Sequence, residues 1–313
     1  MDFTGKNILI TGINGFVGTA AAKSFVEAGA HVIGIVKDTN RKTDPWIVNN
    51  CSIVNGDIRD LSLLNYTMSH YEVDYVLHLA SQAIVKICHS DPYTAYETNI
   101  MGMVNVLEAA RMQALPPSKI LVMVSDKYYG SAAQLPYTED LPPEVADTYC
   151  TSKTCQDMIA RSYASTYGVK AITIRAGNIY GPGDFNMSRL IPKNMIKLYR
   201  GESPVLYSHS AEMVREFLYV DDVVEAFKVL FIKGVVGEAY NIGGTEPCKI
   251  GDVMERIREI VNPEIPIKIE VVEFGEINAQ YLNADKLRFL GWEPLTSLDD
   301  GLKKSFEFYQ NWA

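Results

Sequence analysis

Residues suited to metal or disulfide chemistry are few. The five cysteines, Cys51, Cys88, Cys150, Cys155 and Cys248, form no CxxC pair and leave one over, which argues against a disulfide framework or a zinc ribbon. The five histidines show no paired ligand spacing, so no metal site is expected. No uninterrupted apolar stretch is long enough to span a bilayer, and the N-terminus enters a strand pattern without a basic segment and apolar h-region. A soluble, cytoplasmic protein is expected. Basic residues are also in short supply, with 29 Lys and Arg against 38 Asp and Glu and a net charge of −9. A field of that sign repels phosphate backbones and anionic lipid, so neither nucleic acid nor a membrane is expected as a partner. A small anion remains compatible, held by local basic groups and helix N-termini. There is no internal repeat, low-complexity tract or long charge block. With 47% apolar and 21% charged residues, the composition is that of a folded globular chain.

Apolar runs alternate with helix-period segments through the first half. Strands are predicted at 7–11, 31–36, 51–54, 75–79, 119–124 and 171–175, and helices at 17–28, 98–114 and 147–167. That alternation predicts an α/β fold, a doubly wound parallel sheet covered on both faces. Beyond Gly177 the rhythm breaks, punctuated by Pro182, Pro192, Pro204, Pro247, Pro263 and Pro266. The expected organisation is a dinucleotide-binding domain over 1–175, with a return of the chain around 212–240. A smaller C-terminal substrate-binding domain takes 176–211 and 241–313.

The first strand leads into Gly12-Ile13-Asn14-Gly15-Phe16-Val17-Gly18, and a helix comes next. Glycines there allow a tight turn and let backbone N–H groups approach a pyrophosphate at the helix N-terminus. A strand-to-helix turn needs glycine for structural reasons too, but this position and the βαβ pattern after it favour a dinucleotide. Asp38, after the second strand, would accept hydrogen bonds from ribose hydroxyls and favour NAD. Lys37 or Arg41 would pair with a 2′-phosphate, so NADP stays open. Asp57 and Ile58 either bracket an adenine ring or, in the case of Asp57, cap a helix.

Tyr149 and Lys153 stand four apart on one helix and share a face. A lysine beside the phenol and beneath a ribose would lower the tyrosine pKa, letting it take a proton from an alcohol as hydride leaves. Chance alone places many Tyr-Lys pairs at this spacing. Ser125 changes the reading, because it ends the fifth strand at the edge where ligands of doubly wound sheets sit.

GxxGxxG, a strand-end Ser and YxxxK, in this order, resemble the extended short-chain dehydrogenase/reductase family, the nucleotide-sugar epimerases and dehydratases of Rossmann type. His78-Leu79-Ala80-Ser81-Gln82, Glu97-Thr98-Asn99, Arg175 to Gly183 and Arg215 to Asp222 match as well. The resemblance implies transient oxidation at C4 of a nucleotide-diphosphate sugar. It sets Leu79, Ala80 and Ser81 against the cofactor and Gln82 near the substrate. Asn178 and Arg215 would hold the diphosphate, and Arg189 would lie near the nucleotide. Tyr281 falls where related enzymes place an Arg-Tyr pair, and Gln280 departs from that pattern. Helices 98–114 and 147–167 would form a four-helix homodimer interface.

The residues after Ser125 bear on the step that comes after oxidation. A 4-epimerase needs no further acid or base, whereas a 4,6-dehydratase needs a base for the C5 proton and an acid for the departing C6 hydroxyl. The run Ser125-Asp126-Lys127 is similar to the CDP-glucose 4,6-dehydratases, with Asp126 as acid and Lys127 as base. The segment Arg215 to Asp222 looks like the epimerase version. The expectation is a 4,6-dehydratase, with a 4-epimerase as the alternative, then net oxidation to a keto sugar, then a catalytically silent NAD-binding sensor.

Overall fold

The computed structural model describes residues 1–37, 43–132, 134–271 and 277–312. Asp38 and Arg41, on which the ribose reading rests, lie outside the described residues. Seven strands build one parallel sheet: β1 (Asn7–Thr11), β2 (His31–Val36), β3 (Ser52–Asn55), β4 (Tyr75–His78), β5 (Lys119–Met123), β6 (Ala171–Ala176) and the strand Ala239–Ile242. Their spatial order is 239–242, β6, β5, β4, β1, β2, β3, the doubly wound arrangement expected.

The strands are apolar on both sides, and each side has its own core. Ile8 and Ile10 of β1 join Phe25 and Phe227, while Leu9 between them joins Val106 and Ala160 across the sheet. Helices Phe16–Glu27 and Val220–Lys233 cover the first face. Leu61–His70, Gly102–Arg111 and Thr148–Tyr167 cover the second. The last of these starts where the Asp147 carboxylate accepts the Cys150 N–H at 2.8 Å. It stops at Gly168, whose φ of 70° suits glycine. Helices Pro45–Asn50, Leu61–His70 and Pro92–Tyr96 escape the periodicity reading because they are short. Asp44, Asp60 and Asp91 cap them.

Beyond Ala176 the chain forms a smaller sheet from Asn178–Tyr180, Val214–Tyr219, Pro247–Lys249 and Ala279–Gln280. Helices Leu190–Tyr199, Ile250–Val261 and Leu298–Trp312 accompany it, around a separate apolar cluster that includes Met195, Leu198, Val253, Ile257 and Leu302. Val214–Tyr219 lies in this smaller sheet, and the helix after it returns to the large one. Among the described residues no helix is long and apolar enough to cross a membrane.

Candidate active site

β1 pairs with β2 on one side and β4 on the other, so the strand order reverses there and a crevice opens beyond the strand ends. The glycine turn floors it. Gly12 has φ 73°, and a Cβ there would press on the backbone of Ala80; a Cβ at Gly18 would run into the Gly12 carbonyl oxygen. The helix beginning at Phe16 has Gly15 as N-cap, no side-chain cap and no acidic residue in its first turn. Its leading N–H groups therefore remain available to an anion. The cleft has a volume of 680 Å³ and is lined by Gly12, Asn14, Gly15, Phe16, Val17, Gly18, Asp57, Ile58, Leu79, Ala80, Ser81 and Gln82. Asn186, Met187 and Arg189 close it from the other side.

Asp57 sits in a turn before the helix Leu61–His70, whose cap is Asp60. Asp57 lines the cleft, and its carboxylate accepts the Arg59 backbone N–H at 3.0 Å. Burial pushes its pKa up, but hydrogen bonds from Arg59 and Lys37 outweigh that and hold it at about 2.

Ser125, Asp126, Lys127 and Tyr149 meet at the end of β5. The Ser125 hydroxyl donates to the Asp126 carboxylate at 2.9 Å, accepts the Lys127 N–H at 3.2 Å and hydrogen-bonds Tyr149. Ser125, rather than Asp126, caps the short turn Asp126–Tyr129. Asp126 is buried, and burial pushes its carboxyl above the ordinary range against the pull of Lys127, Ser125 and Arg215. Lys127 finds a neutral partner, the side-chain carbonyl of Gln280, instead of a carboxylate. Burial also raises the Tyr149 phenol; Ser125 and Arg189 act in the lowering direction. Lys153, one turn on, is buried with its ammonium on the Met123 carbonyl at 3.1 Å, and burial lowers its pKa to about 8.

The substrate-side residues are placed unevenly. Arg189 borders both groups: it lines the cleft, pairs with Asp184 at 3.1 Å and favours the ionised phenol of Tyr149. Arg215 is buried and donates to the carbonyls of Ile277 at 2.7 Å and Val214 at 2.9 Å, near enough to Asp126 to act on its charge. The Asn178 amide donates to the Glu216 carbonyl at 3.1 Å, and the Tyr281 carbonyl accepts from the Tyr137 N–H at 3.0 Å. Asn178, Arg215 and Tyr281 do not line the cleft.

Several supporting residues lie in the motifs Glu97-Thr98-Asn99, Arg175 to Gly183 and Arg215 to Asp222, but their partners do not show in the sequence. Fully buried Asn99 accepts the Gln82 N–H at 2.7 Å and donates to Ser152 at 2.9 Å, tying the segment after β4 to the Tyr149 helix. Arg175 is fully buried, paired with Asp157 at 2.9 Å and stacked 3.5 Å from the Tyr128 ring, which props the turn after Ser125. Buried Glu216 accepts the N–H groups of Gly244 and Leu282, and burial, with Asp126 nearby, raises it to about 8. The motifs mark these positions, but neither a motif nor a polar residue within an apolar stretch says what the partner is.

With this geometry in place, the chain can be set beside known proteins. A trifunctional protein of Arabidopsis thaliana is 30% identical over 319 residues, covering 98% of this chain and 47% of its own length. That protein's name joins UDP-glucose 4,6-dehydratase, UDP-4-keto-6-deoxy-D-glucose 3,5-epimerase and UDP-4-keto-L-rhamnose-reductase. The chain thus spans about half the length of that relative. The crystal structure of UDP-glucose 4-epimerase with UDP-glucose from Thermotoga maritima superposes with a TM-score of 0.90 at 28% identity, covering 97% of this chain and 99% of that one. The dTDP-glucose 4,6-dehydratase of Bacillus anthracis, in complex with NAD, gives a TM-score of 0.88 at 28% identity, over 98% and 97%. Residues 8–243 match the family described as NAD dependent epimerase/dehydratase, and the chain belongs to that family.

Proposed function

We propose that the chain is a nucleotide-diphosphate-sugar 4,6-dehydratase that uses NAD and acts through transient oxidation at C4. The observation that carries this reading is Asp126, a buried carboxyl held towards its protonated form and hydrogen-bonded to Ser125 beside Tyr149. A plain 4-epimerase has no use for such an acid. Two relatives named as 4,6-dehydratases, alone or within a trifunctional chain, support it.

The crevice suits a dinucleotide. Side chains are excluded at Gly12 and Gly18, and the N–H groups at the start of the Phe16 helix can receive a pyrophosphate. The bound cofactor supplies a hydride acceptor for C4 and the hydride that later returns to the sugar. Tyr149 takes the C4 hydroxyl proton, and Ser125 orients that hydroxyl. Lys153, one turn on with its ammonium on the Met123 carbonyl, stands beneath the ribose, and Arg189 is the cation that favours the phenolate. With C4 a ketone, the C5 proton is acidic and passes to the Lys127 amine. Its electron pair forms the C5–C6 double bond as the C6–O bond breaks, and the Asp126 proton leaves with that oxygen as water. Arg189 meets the nucleotide, and Asn178 and Tyr281 serve the diphosphate and sugar. Arg215, expected at a phosphate, is held by the carbonyls of Ile277 and Val214 and acts on Asp126.

The unit 1–175, with the returning helix and strand at 220–242 in place of the expected 212–240, holds the cofactor, and 176–219 with 243–313 covers the sugar. The enzyme is cytoplasmic and works as a homodimer. Exposed Met101, Met112, Met158 and Tyr167 on and beside helices Gly102–Arg111 and Thr148–Tyr167 support that pairing.

The 4-epimerase reading is favoured by the fold likeness to the Thermotoga epimerase. Incubation with CDP-, dTDP- and UDP-glucose, with product masses then read, separates the two. Loss of water supports the dehydratase, unchanged mass with a new epimer supports the alternative, and loss of two hydrogens with reduced NAD accumulating makes it a dehydrogenase.

A further inference from the structure

Gln280 lies 153 residues from Lys127 in sequence, is 1% exposed, and reaches the site from the edge of the smaller sheet. Its amide makes two contacts with one turn. The carbonyl Oε1 accepts from the Lys127 ammonium, and the Nε2 group donates to the Asp126 backbone carbonyl at 3.3 Å. Only this orientation satisfies both groups, since the flipped amide would set N–H donors against an ammonium. The Lys127 amine is thereby fixed on the same turn as the Asp126 carboxyl.

The other groups facing this point are also arranged to leave Lys127 without an anionic partner. Asp126, on its own turn, is pushed towards neutrality by burial. Cys150, from the Tyr149 helix, is a thiol held up to about 11 by burial and by Asp147, whose carboxylate caps that helix on the Cys150 N–H and forms no ion pair with Lys127. Arg215, paired with Gln280 across neighbouring strands, is a cation, and Glu216 beside it is held at about 8. The Tyr149 phenol, on the far side of Ser125, is raised by burial. Among the described residues no carboxylate forms an ion pair with Lys127, which distinguishes it from the surface lysines Lys6, Lys23 and Lys37.

We infer that Gln280 is a positioning residue for C5 proton transfer: its neutral amide fixes the Lys127 amine on the turn of Asp126 without bringing an opposite charge to it. The inference rests on the dehydratase reading. A neutral partner matters here because a lysine with an anionic partner is held in its protonated form.

The test is Gln280→Glu, nearly isosteric but bringing a carboxylate to the ammonium. Holoenzyme with NAD is given CDP-, dTDP- and UDP-glucose, and water loss is measured against pH. An opposite charge at this range shifts a pKa by about 1–3 units. The acid limb of kcat should therefore move up in pH by about that amount, with kcat near neutral pH at least about tenfold lower and KM little changed. Reduced NAD should still form, which shows that the fold and C4 oxidation survive. Wild-type water loss together with an unmoved limb and unchanged kcat in Gln280→Glu overturns the role of Gln280 while the dehydratase reading stands. Absence of water loss from the wild type overturns the dehydratase reading and the C5 role together. Acetic anhydride labelling of Lys127 across pH, read by peptide mass, tests the amide contact without any sugar. A higher midpoint in Gln280→Glu supports the contact, and equal midpoints overturn it.

Discussion

The two ends of the site are held by opposite means. At the dinucleotide end the cradle is mostly backbone, drawn from one stretch of seven residues and kept clear by glycines where a Cβ would collide. At the reacting end the turn Ser125–Lys127, Tyr149, Arg189, Arg215 and Gln280 arrive from five separate segments. Ser125 holds Asp126 and Gln280 holds Lys127 by side-chain hydrogen bonds, while Arg189 and Arg215 act on Tyr149 and Asp126 through charge. The first arrangement can serve any reaction that uses the cofactor, because it touches none of the chemistry. In the second, burial and neighbours set the proton affinities, so one replaced side chain can change the reaction. Damage at the glycine end should therefore alter affinity, and damage at the other end should alter rate or product.

The largest effect is expected from Tyr149→Phe, which removes the proton acceptor and keeps the ring. Turnover should fall by about 10²–10⁴-fold, with NAD affinity and melting temperature unchanged. Near-normal turnover would remove Tyr149 from the mechanism. Asp126→Asn sharpens the comparison by separating steps. C4 oxidation should continue while water loss falls by about 10²-fold or more, so that a 4-keto sugar retaining its C6 hydroxyl accumulates with reduced NAD. An epimerase would be largely indifferent to that change. Gly18→Ala strikes the other end, where the new Cβ meets the Gly12 carbonyl oxygen. A displaced turn should weaken NAD by about tenfold or more in a binding titration, without changing which product forms at saturating NAD.

The last prediction reads stability rather than turnover and concerns Glu216. Its folded pKa of about 8 lies above the ordinary 4.5, so its contribution to stability is fully present below pH 4.5 and is lost as pH rises through 8. Lys153, lowered to about 8 from 10.5, acts in the next window and adds stability as pH rises from 8 towards 10.5. Across pH 4.5–8 the Glu216 slope is at most about 1.4 kcal/mol per pH unit. Denaturant melts should show a shallower decline for Glu216→Gln; identical slopes would refute the shift.

Local signals explain why part of the molecule is legible in the sequence. β1, the glycine turn and its helix are contiguous, and each is marked by residues whose geometry allows little else. Tyr149 and Lys153 are linked by helical spacing alone. Gln280 is a different case: only the pairing of Ala279–Gln280 with Val214–Tyr219 brings it to Lys127, and a two-residue strand leaves no periodicity to read. The return expected around 212–240 includes Val214–Tyr219, but an apolar run does not specify which sheet it joins, and this one lies in the smaller sheet. The motif around Arg215 points to a phosphate, yet in the structure its guanidinium is engaged with the carbonyls of Ile277 and Val214. Asp184, which holds Arg189, carries no signal beyond being an acid near prolines and glycines.

The central claim is that Asp126 and Lys127 add an elimination to the C4 oxidation, and solvent deuterium tests it most directly. Turnover of CDP-, dTDP- or UDP-glucose in deuterated water should give a product that has lost water and carries deuterium at C5, where the abstracted proton is replaced from solvent. A product of unchanged formula with no deuterium on carbon would contradict the account and establish the 4-epimerase in its place.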